Sequence, residues 1–530
     1  MLNWDQPYPA RRSPVFARNI VSTSQPLAAQ AGISVLQRGG NAVDAALATA
    51  MTLTVVEPNN NGLGSDAFAI LWDGTALHGI NASGRSPAAW TPDRYRDHDA
   101  MPTRGWDAVT VPGAVSAWVA LSERFGQLPF EDLFEAAIRY AADGFHVGPV
   151  TGQALQNVPE SFAGHEAFLQ HFAPDGRAPG PGDLFKRPDL ARSLQLVAET
   201  RGEAFYRGEL ANAMVADSQR LGGAMSEDDL ATHQADWVTP TAQDYRAVTL
   251  HEIPPNGQGL AAQIALAILA HFDLAALPAA SGPNSVEVVH LQIEALKIAI
   301  RAAFDHFADM DHMTTSVEEL LEPGSIKAAA ESICDRAAPL PPKQLPTSLD
   351  TVLLTAADAS GMMISFIQSN YQGFGSGIVV PGTGIAMQNR GYGFSLQPGH
   401  PNQVGGGKRP FHTIIPGFVT EAGAPRMSFG MMGGHMQHQG HVQLVNRIFD
   451  FGENPQAASD APRWQITPQF DVVLEQGFPA SAARDLAERG HSVSFHDNSA
   501  FFGGAQLIVR MDDGYCAGSD HRKEGLAIGF

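Results

Sequence analysis

Thr351 stands at an abrupt change of composition. Before it runs "AAPLPPKQLPTSLD", with four prolines that oppose both helix and strand pairing; after it come "TVLLTAAD" and "MMISFIQS", two short apolar runs joined by "ASG". An ordinary threonine hydroxyl is a poor nucleophile, because its proton is held tightly at neutral pH. Scission of the Asp350–Thr351 bond would change that. It would give Thr351 its own α-amine, with an ordinary pKa of about 7.7–8.0, close enough to take the hydroxyl proton. An extended linker that can leave and a buried strand that must stay are the two parts such processing needs. The plainer reading is a connector before a core strand.

A second group lies in "RMSFGMMGGHMQHQGHVQLVNRIFDF", read as a strand, the pair Gly433–Gly434, and a helix. Glycines at such a junction let the backbone approach a ligand closely, and the N–H groups of the first helical turn point toward anionic oxygen. His435, His438 and His441 invite a zinc reading. However, three-residue spacing drifts around a helix and no carboxylate or thiolate joins them, so a partly buried polar turn at the mouth of the site is expected instead. "GLGSDA" imitates a dinucleotide fingerprint but follows a helical run and a Pro-Asn-Asn-Asn spacer. "GGGKRP" lacks the Ser or Thr of a phosphate loop.

These groups need a scaffold. The two apolar runs after Thr351 read as a buried hairpin. Near the N-terminus, "PLAAQAGISVLQRGGNAVDAALATAMTLTVVEP" reads as two helices, the first stopped by Gly39–Gly40, the second capped by Asn41 and built of small side chains that favour burial. In "NSVEVVHLQIEALKIAIRAAFDHFAD", Asn284 and Glu287 have capping-box spacing, and Val289, Ile293, Leu296, Ile300 and Phe304 form one stripe. His290 and His306 within it are expected to be structural.

The 530 residues are 44% hydrophobic and 17% charged, enough for a large core in one compact unit. Against 55 acidic residues stand 34 Lys and Arg, and the net charge of -21 argues against nucleic acid and anionic membranes as partners. Two cysteines, Cys334 and Cys516, exclude a disulfide framework or thiolate-rich metal site, though one chance disulfide stays open. With no apolar signal region and no long apolar span, a cytoplasmic location is expected.

The chain resembles the gamma-glutamyltransferase family of N-terminal nucleophile (Ntn) hydrolases. The resemblance runs over nearly its full length, through "QRGGNAVDAALATAMTLTVVEPNNNGLGSDAF", "VTVPGAVSAWVALSERFG", "GDLFKRPDLARSLQLVAETRGEAFYRGELA", "EIPPNGQG", "FGSGIVVPGTGI", "MMGGH" and "GSDHRKEGLAIG". It implies an α+β fold, the αββα four-layer sandwich, and a precursor cut at Asp350–Thr351 into a large segment, 1–350, and a small one, 351–530, that stay associated. By the same resemblance Thr351 is the nucleophile, Ser369 a second hydroxyl beside it, and Gly433 and Gly434 the oxyanion donors. The plainer reading of Ser369 is a polar residue capping a strand end. The implied chemistry is acyl transfer through a threonyl enzyme, with no metal or cofactor.

The pocket departs from the family. Where an Arg is expected stands Ser83, with Arg85 two places on. Gly393 replaces an Asp that would hold an ammonium group, with Arg390 close by; Phe411 and His412 replace a pair of serines; Tyr371 replaces an Asn. Two arginines without the acid suit a carboxylate and not an α-amine. The expected substrate is therefore a small carboxylate-bearing amide, as in the oxamate amidohydrolase branch. True γ-glutamyl transfer, a cephalosporin-acylase-like activity and a catalytically silent binding scaffold are the alternatives. For Arg85 an ordinary ion pair is an equal reading. The expected partners are the substrate and the chain's own two segments, with pairing into a homo-oligomer left open.

Overall fold

The computed structural model describes residues 12–277, 282–339 and 351–530. Asp350 and most of the proline-rich segment lie outside the described residues.

The hairpin after Thr351 forms as read. Strands Val352–Ala357 and Met363–Ser369 pair antiparallel, with Val352 opposite Gln368 and Ala357 opposite Met363. Every residue of both strands is buried, because the hairpin occupies the middle of a seven-stranded sheet. The strands Ile20–Thr23 and Asp66–Trp72 flank it. A second seven-stranded sheet is centred on Phe429 in the strand Ala424–Met432, which runs between Pro416–Glu421 and Gly504–Arg510.

The period-two geometry of a strand sends successive side chains to opposite faces. Along the strand Val352–Ala357, Leu353 and Ala357 join Phe418, Met432 and Ile508 in the core between the sheets. Val352, Leu354 and Ala356 turn the other way, onto Val43, Leu47 and Met51 of the helical layer. A third core packs the second sheet against the helices Gly259–Leu269, Val286–His306 and Met436–Phe449. Helices, sheet, sheet and helices form the αββα order.

The helix Ala42–Val56 is buried at all 15 positions. Asn41 caps it, its side chain accepting from the N–H groups of Val43 and Asp44 at 3.0 Å each, while the Asp44 carboxylate accepts from the Asn41 N–H at 3.1 Å. Such a cap contributes about 1 kcal/mol. The capping box expected from Asn284 and Glu287 does not form. The helix Val286–His306 starts from Ser285 without a side-chain cap bond. Asn284 Oδ1 is taken by the guanidinium of Arg447, a group buried enough to require an acceptor. The stripe Val289, Ile293, Leu296 and Ile300 is buried, with Phe304 at its edge partly so.

His290 and His306 have partners within the protein. His306 Nδ1 meets Thr315 Oγ1 at 3.2 Å. The His290 ring donates from Nε2 to the Cys334 carbonyl at 2.7 Å, so its Nδ1 accepts from His491 Nε2 at 2.8 Å. Lys297 lies 3.4 Å from the other His491 nitrogen and 2.8 Å from Glu294. His290, Glu294 and His491 are the one trio with metal-ligand spacing among the described residues; these hydrogen bonds account for their crowding. Burial, chiefly, with Lys297 also contributing, pushes His491 down from 6.5 to about 3, and burial lowers His290 as well. The native state therefore refuses protons that the unfolded chain accepts near pH 6.5. The stability this contributes is complete above that pH and is lost as pH falls toward 3. Denaturant unfolding across this window should show a steeper acid loss for the parent than for His491→Gln; parallel curves would refute the assignment.

Cys334 and Cys516 are not joined; one is exposed and the other buried. Among the described residues no helix is long and apolar enough to cross a membrane.

Candidate active site

Thr351 immediately precedes its strand and is 1% exposed. By alternation it shares a face with Leu353, toward the opposite sheet, and so does Ser369 with Ile367. The hairpin register sets the two opposite each other, and Thr351 Oγ1 donates to Ser369 Oγ at 3.2 Å. The Ser369 hydroxyl is held in turn by the N–H of Tyr371 at 2.8 Å. Tyr371 adopts φ +78°, a left-handed conformation that costs a non-glycine residue about 1 kcal/mol or more and aims its N–H back at Ser369.

Gly433 and Gly434 follow the strand Ala424–Met432 with φ +117° and +58°, and the helix Met436–Phe449 begins two residues later. Side chains tie this junction to Thr351. Gln437, in the first turn, approaches Thr351 Oγ1 through Nε2 at 3.4 Å. Gln258 Nε2 donates to the Gly434 carbonyl at 2.8 Å and to that of Thr413 at 2.5 Å. Gln258 lies within the stretch "EIPPNGQG" but is given no role there, and Gln437 stands three residues past the glycine pair with no motif to mark it.

His438 and His441 of "HMQHQGH" lie within a buried helix and His435 is buried just before its start, which corrects the expectation of a partly buried turn at the site's mouth. His438 donates from Nδ1 to Gln258 Oε1 at 2.9 Å, since that oxygen can only accept. A carboxylate does join His441: Glu252, at 2.6 Å, from a strand remote in sequence.

Arg390 is wholly buried. Its Nη1 donates to Thr413 Oγ1 at 2.9 Å and its Cζ lies 4.1 Å from the centre of the Tyr371 ring. Its Nε and Nη2 have no partner among the described residues. Burial lowers its pKa from 12.5 to about 10, so it stays charged at neutral pH. Such a cation costs several kcal/mol unless an anion or acceptor completes it. The neighbouring acid, Asp66, already accepts from the N–H groups of Gly84 and Gly113 and from His412 Nε2, at 3.2, 3.1 and 3.1 Å. Burial chiefly pushes Asp66 up to about 7 and holds His412 well below its ordinary value, as a neutral ring.

Arg85 is engaged otherwise, donating to Asp309 at 3.0 Å and to the Gly407 carbonyl at 3.2 Å, with its side chain 41% exposed. Phe411 stacks on His435, ring centres 5.9 Å apart, and meets Phe304. Gly393 leaves no room for a side chain: a Cβ there would stand 2.5 Å from the Phe411 carbonyl oxygen. Thr351, Ser369, Tyr371, Gln437, Gly434, Gln258, Thr413 and Arg390 are thus joined in one hydrogen-bonded network, with Arg85 tied instead to Asp309. Arranged so, the site offers a buried hydroxyl, backbone N–H groups at a helix start and a guanidinium with two open donors.

The Gamma-glutamyltranspeptidase family profile matches residues 28–530. The chain is 35% identical over 529 residues to the glutathione hydrolase-like YwrD proenzyme of Bacillus subtilis (strain 168), covering 98% of this chain and 100% of that one. It is 35% identical over 520 residues to the oxamate amidohydrolase proenzyme of Klebsiella pneumoniae subsp. pneumoniae, covering 95% and 97%. Its structure matches that of a cephalosporin acylase from Bacillus halodurans with a TM-score of 0.94 and 43% identity, over 100% and 99% of the two chains. The chain belongs to the gamma-glutamyltranspeptidase family, an enzyme family of hydrolases and acyltransferases.

Proposed function

We propose that the protein is a self-processing Ntn hydrolase that cleaves the amide of a small carboxylate-bearing substrate lacking a free α-amine. Scission at Asp350–Thr351 yields segments 1–350 and 351–530, which remain associated through the shared sheet. The observation that carries the substrate reading is the buried Arg390, charged and with two nitrogens open. A guanidinium fork matches the two oxygens of a carboxylate, and docking there completes its hydrogen bonds. An ammonium group finds a poorer partner: Asp66 already accepts three hydrogen bonds and is pushed up to about 7 by burial, and a side chain at 393 is sterically barred.

In the reaction, Thr351 Oγ1 attacks the amide carbonyl while its proton passes to the freed α-amine. The carbonyl electrons collect on an oxygen facing the N–H groups of Gly433 and Gly434. Collapse expels the amine, which takes that proton, and leaves a threonyl ester. Water, losing a proton to the α-amine, then attacks the ester, and Oγ1 departs with a proton. The names proenzyme, oxamate amidohydrolase and cephalosporin acylase among the relatives agree with this reading.

The test is a substrate panel on purified mature protein: oxamate, a glutaryl amide, glutathione and a γ-glutamyl anilide. Hydrolysis of oxamate or the glutaryl amide should exceed that of both γ-glutamyl donors in kcat/KM. Preference for the γ-glutamyl pair overturns the proposal, and a full-length chain inert to all four identifies a silent scaffold.

A further inference from the structure

We propose that Gln437 is a catalytic residue whose side-chain amide donates to the nucleophilic oxygen and holds it while it gains charge. The inference rests on the reading of Thr351 as nucleophile. Gln437 is wholly buried and its amide has one orientation, because the Ile415 N–H donates to one end at 2.9 Å and that end must be Oε1. The end 3.4 Å from Thr351 Oγ1 is therefore the NH2 group. Thr351 Oγ1 in turn donates its own hydrogen to Ser369 Oγ, so toward Gln437 it is the acceptor.

The length of the contact matters. At 3.4 Å it is longer than an ordinary neutral hydrogen bond, and it gains strength as Oγ1 loses its proton to the α-amine and begins to bond to carbon. A donor that binds the charged oxygen better than the resting hydroxyl stabilises the transition state selectively. The same argument applies in reverse when the Oγ1–carbon bond breaks during hydrolysis of the ester and Oγ1 leaves with negative character before taking a proton back. Gln437 exchanges no proton in either step.

Its placement couples it to substrate recognition. The segment that gives Ile415 N–H to Gln437 also gives the Thr413 hydroxyl to Arg390, two residues away. The helix turn that carries Gln437 is joined to the glycine junction, since its N–H donates to the Gly434 carbonyl at 3.2 Å. One short stretch, 413–415, thus sets the carboxylate receiver and the nucleophile's donor in register.

The experiment compares mature parent, Gln437→Leu and Gln437→Glu, each normalised by intact mass to the amount of fragment beginning with Thr351. Gln437→Leu should lower kcat by about tenfold to a hundredfold with KM nearly unchanged. Its acid limb should stay put, because glutamine does not titrate. Gln437→Glu keeps an acceptor for Ile415 but sets a carboxylate beside the α-amine; kcat should fall and the acid limb should move to higher pH, since the nearby anion favours the ammonium form. Parental kcat and an unmoved limb in both mature variants would overturn the proposal, as would losses that vanish on normalisation. If Gln437→Leu does not mature, Gln437→Glu decides alone. Failure of the Thr351 reading has a separate signature, the absence of a parent fragment starting at Thr351.

Discussion

Thr351→Ala should leave a single chain on a denaturing gel and reduce amide hydrolysis by about 10⁴-fold or more. Both effects have one cause. The hydroxyl that opens the substrate amide is, on the proposed reading, the one that first attacks the Asp350 carbonyl, so removing it blocks release of the α-amine as well as turnover. The alanine side chain fits where a 1% exposed threonine stood, so an unfolded protein is not the expected outcome. Thr351→Ser guards against that ambiguity by restoring the hydroxyl, and it should process, more slowly, and hydrolyse substrate. Intact mass of parent and variants gives the readout. An alanine variant that still separates at 350/351, or still turns over, removes Thr351 from the mechanism.

The hairpin, the Asn41 cap and the glycine junction were legible in the sequence because each is a local device. Two apolar runs too short for helices, joined by a turn, favour paired strands, and a capping box closes within four residues. The remainder of the site depends on distant segments meeting. Neither Gln258, inside "EIPPNGQG", nor Thr413 nor Gln437 is marked by local sequence as part of a site, and their placement arises only when the two sheets bring residues 351, 390, 413 and 437 together. The same competition explains the errors. Asn284 had the spacing of a cap, but a buried Arg447 claimed its oxygen. His441 lacked a nearby acid in sequence, and Glu252 supplied one from 189 positions away. Arg85 and Arg390 were indistinguishable by residue type; burial and the whereabouts of Asp309 separate them.

That separation leads to the second large effect. Arg390→Met should mature normally, since the guanidinium contacts Thr413 and the Tyr371 ring but not Thr351 itself, and should lose on the order of 2–5 kcal/mol in carboxylate substrate transition-state binding, or about 30- to several-thousand-fold in kcat/KM. The loss is large because a carboxylate brought into this enclosed site without its cation gives up water and gains nothing. Arg390→Lys keeps the charge but not the fork, and should fall between parent and Met. The same amide with its carboxylate converted to a methyl ester serves as control: the parent should handle it poorly, and Arg390→Met should narrow the gap between acid and ester. If the variant retains parental kcat/KM on the acid, the open nitrogens of Arg390 serve packing alone. If instead acid and ester decline together, Arg390 supports the site through Thr413 and not through the substrate.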